Sequence, residues 1–410
     1  MIPSLNAWQF FSSGFKYFFL TLLSVVILTS WHSSAEAHNV RGSASVQTRL
    51  FPNNPLHAGQ EDDLVSLALA PEYYHRFDDG DVFTFFPFFR WDSADSERTH
   101  FDIRDLSYTW VNDAFEARVG IRKEFWGVVE SVNLVDIVNQ VDLVENPEGR
   151  DRLGQPMVNL SYSHEWGTFD FYMLPYFRER TFSGEEGRLR LRLPIETDDP
   201  IYESAAEEHH IDFAFRYFQT IKNLDLGVSH FIGTARDPLP VVAFKNGQFV
   251  LLPFYQQIKQ TGLDLLMITG NWIWKFEGIY RDASSSTDYT AMVGGLEYVF
   301  DGIWNTGMDL ALILEYLYDD RGEQLAVNED DVVFGFRWAF NDVQGTSIQA
   351  SITMDLNTDA WFPLIKATTR LDSHWRLSLR YLGLVDQPAE DLFFDLREDD
   401  FFEIQLAYFF

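Results

Sequence analysis

The sequence predicts an all-β fold: a transmembrane antiparallel up-and-down β-barrel of about 18 strands. Strand-length segments alternate apolar and polar residues along most of the chain, which gives each strand one apolar and one polar face. Aromatic residues make up 16% and charged residues 23% of the chain, which suits strands that have lipid on one side and water on the other. Long and short connections between the segments also alternate.

A signal peptide is predicted ahead of the barrel. Lys16 precedes a mostly apolar run over residues 17–28, and Ala35-Glu36-Ala37 supplies a small-x-small cleavage site. The run is shorter than the about 20 residues that a spanning helix needs, which makes an uncleaved anchor the weaker alternative. We therefore divide the chain into a signal peptide over residues 1–37 and a single barrel domain over residues 38–410.

The charge and the cysteine count exclude several classes of partner. The formal net charge is −31, which argues against binding nucleic acid and against adsorption to anionic lipid. The chain has no cysteine, so it has neither disulfides nor thiolate metal sites. We expect no cofactor and no metal centre.

Eighteen segments read as strands, with sixteen as the nearest alternative count. They are residues 41–51, 64–77, 82–91, 100–111, 114–125, 157–166, 169–182, 210–221, 224–232, 258–269, 272–280, 289–300, 308–318, 332–340, 347–355, 361–371, 375–384 and 401–410. The short connections follow the even-numbered segments, and most long ones follow the odd-numbered segments. Barrels that cross a membrane segregate their short turns and long loops in this way. Between two of these segments, Arg188, Arg190 and Arg192 alternate with leucines and predict a strand extension beyond the membrane.

The last ten residues form a strongly amphipathic strand. Its apolar face carries Phe402, Ile404, Leu406, Tyr408 and Phe410. This terminus resembles the C-terminal signature of Gram-negative outer-membrane β-barrels. The resemblance implies residence in the bacterial outer membrane, contact with lipid and lipopolysaccharide, and recognition of the last strand by the barrel-assembly machinery. Homotrimer formation remains an open alternative.

The same alternation assigns charged residues to the inner wall in nearly balanced numbers. The candidates for lining or constricting a pore are Glu116, Arg118, Arg122, Glu130, Asp136, Asp142, Arg216, Arg337, Arg376 and Arg380. For most of them an ion pair that braces the wall is the competing interpretation. A charged wall in a barrel of this size predicts a water-filled lumen rather than a packed core.

Three of these candidates lie in a long third loop at about residues 126–155. Trp126-Gly127 after a strand, followed by Asn133, Asp136, Asn139 and Asp142, resembles a poorly characterised porin-like family. General porins fold the third loop into the lumen, and the resemblance implies the same here. Packing of the loop over the rim is the alternative. The valines and leucines between Val128 and Val144 predict a short helix on the wall, and Glu130, Asp136 and Asp142 are expected to meet arginines of the opposite wall.

These observations favour a porin-like channel for passive diffusion of small hydrophilic solutes. One alternative is a non-channel barrel that serves in adhesion or in contact with lipopolysaccharide. The other is a transporter for hydrophobic compounds, which the charged wall disfavours. The motifs of phosphate loops, zinc proteases, serine hydrolases and EF-hands are absent from the sequence, so we do not expect an enzyme.

Overall fold

A closed antiparallel β-barrel of eighteen strands forms the body of the protein. The computed structural model describes residues 40–322, 326, 329–389, 391 and 393–410, and the predicted signal peptide lies outside these residues. The first strand pairs with both the second and the last, so the sheet closes on itself. None of the helices in this described part of the chain has the length and hydrophobicity of a membrane-spanning helix.

The described residues contain twenty-one strands, which we number in chain order. They are β1 (Val40–Leu50), β2 (Leu64–Arg76), β3 (Val82–Asp92), β4 (His100–Asn112), β5 (Phe115–Arg122), β6 (Gln155–His164), β7 (Gly167–Leu174), β8 (Ile201–Tyr202), β9 (Asp212–Ile221), β10 (Leu224–Thr234), β11 (Leu239–Lys245), β12 (Gln248–Tyr255), β13 (Gln257–Thr269), β14 (Trp272–Ala283), β15 (Tyr289–Phe300), β16 (Asp309–Asp319), β17 (Asp330–Ala339), β18 (Ser347–Asp355), β19 (Trp361–Arg370), β20 (Trp375–Leu382) and β21 (Phe401–Phe409). All except β8, β11 and β12 belong to the barrel. The predicted count of eighteen is confirmed, and the alternative of sixteen is wrong.

The two rims of the barrel differ as predicted. One rim carries the start of β1, the end of β21 and the short turns, including two-residue turns at 113–114, 165–166, 222–223 and 270–271. The other rim carries the long connections, among them residues 123–154 and 175–211. We call these the short-turn rim and the long-loop rim. Because the segregation fixes which end of each strand lies at which rim, strand positions locate side chains along the barrel axis.

The outer surface of the barrel is apolar. The apolar faces of the strands point outward, where Phe213, Phe215, Trp272, Trp274, Leu314, Tyr316, Phe334 and Leu379 are exposed. The last strand follows the same phase, with Phe402, Ile404 and Leu406 exposed outside and Glu403 buried inside. A closed barrel satisfies its backbone hydrogen bonds internally, so such a surface can contact lipid. The apolar face predicted for the terminal segment is therefore the outer face.

Two predicted strands end three or more residues earlier than their patterns suggest. β5 ends at Arg122 and β7 at Leu174, where the patterns continued to 125 and 182. In β7 the cause is Pro175, which has no N–H group to donate to a neighbouring strand. The chain leaves the sheet at both points and turns into long connections.

A hairpin on the long-loop rim was not predicted. β11 and β12 pair around Asn246-Gly247, both with positive φ (50° and 89°), and β12 also pairs with the short β8 in parallel. Asn-Gly is a strong hairpin signal that the sequence analysis did not use. The predicted strand extension at Arg188–Arg192 is wrong. Leu189 has a φ of 60°, and the Arg188 guanidinium is buried against Asp399 at 2.6 Å.

Candidate functional site: the lumen and its inserted segment

Residues 123–154, which join β5 to β6 and which we call the inserted segment, lie inside the barrel. Val135, Val138 and Gln140 in this segment have no solvent exposure. The segment contains bends, turns and an isolated bridge between Val141 and Arg152. The predicted short helix is therefore wrong. Side chains of the wall instead hold the backbone of the segment in an irregular path.

Two wall glutamates bind the backbone of the inserted segment. The Glu277 carboxylate on β14 accepts hydrogen bonds from the backbone N–H groups of Val128 at 2.6 Å, Val129 at 3.2 Å and Val135 at 3.3 Å. Glu315 on β16 accepts from the N–H groups of Glu130 and Ser131, both at 2.8 Å. A carboxylate that accepts several backbone hydrogen bonds satisfies donors that would otherwise be buried without a partner. These contacts explain how an irregular segment is stable inside the barrel.

The apolar side chains of the segment pack against the wall near the long-loop rim. Val129 lies in a cluster with Val293, Leu317 and Val333 of β15, β16 and β17. A second cluster brings together a larger set of buried residues. It contains Trp126, Val135, Ile137, Val138, Met157, Tyr172, Leu174, Ala214, Phe231, Ala235, Ile258, Ile279, Ala283, Tyr289 and Ala291. This part of the lumen is a packed core, so the prediction of a water-filled lumen is wrong for this part of the barrel.

Glu130 reaches the far wall of the barrel. Its Oε1 atom lies 2.8 Å from Lys275 Nζ on β14 and 3.0 Å from Arg337 Nη2 on β17. Both cations also contact Glu297, at 3.0 and 3.4 Å. Part of this group is in contact with solvent, because the Arg337 side chain is 41% and the Glu130 side chain 29% exposed.

Glu145 binds the wall on the opposite side. Its two carboxylate oxygens accept hydrogen bonds from Arg90 of β3 at 2.6 and 2.7 Å, and Arg104 of β4 lies at 3.5 Å. Burial alone would raise the pKa of Glu145, but Arg90, Arg98 and Arg104 outweigh burial and hold that pKa at about 2. The side chain is therefore ionised at any physiological pH.

Glu148 contacts a third part of the wall. Its carboxylate pairs with Lys366 on β19, and its Oε1 atom lies 3.7 Å from Arg380 Nη1 on β20. Neither Glu148 Oε1 nor Arg380 Nη1, both buried, has a hydrogen-bond partner among the described residues. Together, Glu130, Glu145 and Glu148 attach the inserted segment to separate sectors of the barrel.

Two of the acidic residues predicted to face the opposite wall do not do so. Asp136 pairs with Arg152 of its own segment at 3.0 Å and accepts from the Trp126 N–H at 3.3 Å. Asp142 accepts a hydrogen bond from the hydroxyl of Thr181 at 3.0 Å. Burial raises the pKa of Asp136 to about 6, with Arg152 opposing the shift. These carboxylates hold the shape of the loops, which corrects the expected contact with wall arginines.

The predicted charges on β5 and β9 form local pairs. Arg118 contacts Glu116 and donates to Asn159 Oδ1 at 3.3 Å. Arg122 lies 3.5 Å from Glu124. Arg216 bonds to Asp264 at 2.8 Å and stacks over the Trp126 ring at 5.2 Å. Such pairs match the bracing interpretation of inward charges.

The predicted cations on β20 have few acidic neighbours. Arg380 is shared between Glu148 and Glu403, each at 3.7 Å. The Arg376 guanidinium lies over the Phe409 ring, 4.9 Å from its centre, near the short-turn rim. No carboxylate of the described residues forms an ion pair with Arg376.

Sequence reasoning missed Glu145, Glu148 and the anchoring role of Glu277 and Glu315. Alternation places the two wall glutamates on the inner face, but it cannot tell a carboxylate that faces water from one that binds a loop. Glu145 and Glu148 flank Asn146-Pro147, a turn sequence that gave no sign of contact with the wall. No group of three or more potential metal ligands occurs among the described residues.

Comparison with known proteins supports the architecture. No family model matches the chain, and no curated protein matches it. Wzi of Escherichia coli, an outer-membrane protein involved in group 1 capsule assembly and a carbohydrate-binding β-barrel, superposes with a TM-score of 0.54 at 10% identity over 99% of this chain and 89% of Wzi. OpdQ of Pseudomonas aeruginosa superposes with a TM-score of 0.52 at 11% identity over 90% of this chain and 97% of OpdQ. A mutant of Rh. blastica porin gives a TM-score of 0.45 at 13% identity over 90% and 99%.

The closed sheet, the segregated rims and the apolar outer surface are the features of an up-and-down β-barrel, and the two structures with the higher TM-scores share this fold. The protein is an 18-stranded antiparallel β-barrel, similar in fold to the outer-membrane protein Wzi and to OpdQ.

Proposed function

We propose that the protein is a narrow outer-membrane channel for passive diffusion of small hydrophilic solutes. The observation that supports this most is the solvent exposure of charged side chains inside the barrel. Arg337, Glu130, Glu116 and Arg118 all have side chains between 24% and 41% exposed. A barrel with a completely dry interior would bury these groups, because burying a charge away from water is costly.

The inserted segment supports a narrow path rather than a wide pore. It packs on the wall from β14 to β17 and also reaches β3, β19 and β20 through Glu145 and Glu148. A solute must therefore pass between charged side chains. We propose Glu116, Arg118, Arg122, Glu130, Arg216, Arg337, Arg376 and Arg380 as lining residues, whereas Asp136 and Asp142 act through the shape of the segment.

Recordings in planar lipid bilayers test the proposal. Purified refolded protein is expected to give stable currents that are linear in voltage. Deletion of residues 128–152, joined by a short Gly-Ser linker, is expected to raise the single-channel conductance several-fold. The matched control shortens the β11–β12 hairpin by removing residues 242–249, whose exposed Phe244 and Phe249 lie on the long-loop rim, and should leave the conductance unchanged.

A second candidate is a non-channel barrel that contacts surface carbohydrate or lipopolysaccharide. The contacts of the inserted segment with several sectors of the wall favour it, since they obstruct the lumen. The fold likeness to Wzi, which is described as carbohydrate-binding, points to the same class. The bilayer experiment separates the two. Silence of the intact protein together with current from the 128–152 deletion supports the non-channel barrel and refutes the channel.

The proposed partners follow from the outer surface. The apolar belt is suited to outer-membrane lipid and lipopolysaccharide. We propose that the exposed Phe402, Ile404 and Leu406, with Tyr408 and Phe410, are recognised by the barrel-assembly machinery before β21 pairs with β1. Substitution of Phe410 by Ser should reduce the amount of barrel assembled in cells while the purified chain still folds in detergent.

A further inference from the structure

The β11–β12 hairpin on the long-loop rim exposes large apolar side chains. Val242 and Phe244 of β11 and Phe249 of β12 are 61%, 65% and 58% exposed. Phe244 lies opposite Phe249, and the centres of their rings are 5.1 Å apart. Because β11 and β12 lie outside the barrel sheet, the apolar outer wall of the barrel does not account for this cluster. Clustered apolar side chains in contact with solvent mark interaction sites.

The exposed apolar residues share one face of the hairpin. Alternation places Val242 and Phe244 on the same face of β11, and the pairing adds Phe249 of β12 to that face. The opposite face carries Lys245 and Gln248, whose side chains contact acidic residues of the β7–β9 connection. The hairpin therefore directs its polar side chains toward the protein and its apolar face toward solvent.

β11 is an edge strand with free hydrogen-bonding groups. It pairs with β12 on one side, and the part of the chain that the structure describes provides no strand on its other side. Lys245 and Gln248 flank the two-residue turn at Asn246-Gly247 and form a hydrogen-bonded pair, and such pairs alternate along a hairpin. The backbone N–H and C=O groups of Val242 and Phe244 therefore point away from β12. A bare edge of this kind is a template for another strand.

The surroundings of the hairpin are acidic. Lys245 is the only charged residue of β11 and β12. Four acidic residues of the β7–β9 connection interact with Lys245 or with its neighbour Gln248, namely Glu185, Glu196, Asp198 and Asp199. The whole chain carries a net charge of −31. This charge disfavours an anionic lipid surface and a second copy of the chain as the occupant of the hairpin, and it favours a cationic partner.

We propose that the free edge of β11 binds an extended segment of a basic protein or peptide, in which apolar and basic residues alternate. The segment adds to the sheet as a further strand, with its apolar side chains beside Val242 and Phe244. Its basic side chains lie on the face of Lys245, where the acidic residues outnumber the single cation. Main-chain hydrogen bonds supply the affinity and alternate side chains supply the specificity. Pro240 has no N–H group and ends the row of donors along this edge.

Fluorescence anisotropy with labelled peptides and the refolded full-length protein in nonionic detergent tests the site. The probe is a short peptide in which valine and lysine alternate. One control peptide has the same composition with its valines and lysines in two blocks, and another is the alternating peptide with a fully N-methylated backbone. The alternating peptide is expected to bind at least ten-fold more tightly than either control, since only this peptide has both an apolar face and backbone donors. Equal binding of all three peptides would show that charge alone acts and would overturn the proposal.

Two variants of β11 locate the binding. Val242→Pro removes an N–H group that points away from β12, so the hairpin keeps its own pairing, and Phe244→Ser removes an exposed apolar side chain. Each is expected to weaken binding of the alternating peptide by about ten-fold. Leu356→Ser is the matched control, since it removes an exposed apolar side chain of the β18–β19 connection on the same rim. Deletion of residues 242–249 should abolish binding, and wild-type affinity in this deletion would refute the site.

The same variants distinguish other occupants of the hairpin. Self-association of the protein without peptide, measured by sedimentation and lost in Phe244→Ser, would assign the hairpin to a second copy and overturn the proposal. Binding to phosphatidylglycerol vesicles that is lost in Phe244→Ser would assign it to a lipid surface, with the same consequence. The site does not depend on the proposed channel, because the hairpin lies outside the barrel sheet. Peptide binding by a protein that carries no current therefore refutes the channel alone.

Discussion

The attachment of the inserted segment to Glu277 makes a quantitative prediction. In the variant Glu277→Ala, the backbone N–H groups of Val128, Val129 and Val135 lose the carboxylate that accepts their hydrogen bonds at 2.6, 3.2 and 3.3 Å. Asn133 Nδ2, at 3.3 Å, loses the same acceptor. The barrel itself should remain, because the strands on either side of β14 pair through their backbones over ten or more residues.

A hydrogen bond to a charged acceptor contributes about 1.5–3 kcal/mol. Taking the lower value for the three backbone donors gives about 4.5 kcal/mol for the free energy of local opening of the segment. Each 1.4 kcal/mol corresponds to a factor of ten, so the opening equilibrium should shift by about three orders of magnitude. The valine cluster and the Glu315 contacts still hold the segment, which keeps the opening local.

Hydrogen–deuterium exchange with mass spectrometry measures this opening directly. Peptides that cover residues 126–137 are expected to exchange far faster in Glu277→Ala than in the wild type, while peptides from β14 itself remain protected. Glu116→Ala is the matched control, since it removes an inward glutamate that contacts Arg118 and not the segment. Unchanged exchange of residues 126–137 in a folded Glu277→Ala barrel would refute the anchoring role of this carboxylate.

Three further predictions concern selectivity, folding and pH. Glu130→Gln removes the negative charge beside the wall cations Lys275 and Arg337, so the reversal potential in a KCl gradient should shift in the direction of greater anion selectivity. An unchanged reversal potential would exclude Glu130 from the ion path. Gly120→Ala should prevent assembly, because φ is 135° at this position and an added Cβ would lie 2.0 Å from the Leu106 carbonyl oxygen. Gly294→Ala is the control and should fold normally, because the added Cβ would have its nearest neighbour at 3.9 Å. Equal heat-modifiable mobility of Gly120→Ala and Gly294→Ala in gels would contradict this reasoning. Burial raises the pKa of Asp136 from 3.8 to about 6, so the contribution of Asp136 to the stability of the inserted segment is largest below pH 3.8 and is lost as the pH rises through about 6. Exchange of residues 126–137, corrected for intrinsic rates, should be faster at pH 7 than at pH 4.5 in the wild type, and this difference should be much smaller in Asp136→Asn.

Much of the fold follows from local chemistry that the sequence displays. Alternation with a period of two assigned most strands and their faces, because successive side chains of a strand lie on opposite sides. The errors occurred where the backbone departs from this rule. Pro175 ends β7, and Asn246-Gly247 makes a hairpin outside the barrel.

Fewer contacts of the candidate site could be predicted from the sequence. Alternation placed Arg337, Arg376 and Arg380 on the inner wall, but it has no information about where an irregular segment lies. Asp136 and Asp142 were chosen because they are acidic and lie in the third loop, yet they bond to Arg152 and Thr181 within the loops. Glu145 and Glu148 are also acidic residues of the third loop, like Asp136 and Asp142. Only the path of the folded chain brings these two glutamates to the wall.

The sequence by itself determined a closed barrel with an apolar outside, a charged inside, and short and long connections at opposite rims. These properties depend on neighbouring residues of one strand and on the composition of its turns. The tertiary structure alone decided that residues 123–154 enter the lumen and that two wall glutamates hold their backbone. Such contacts join residues far apart in the chain, and their register is set only when the sheet closes.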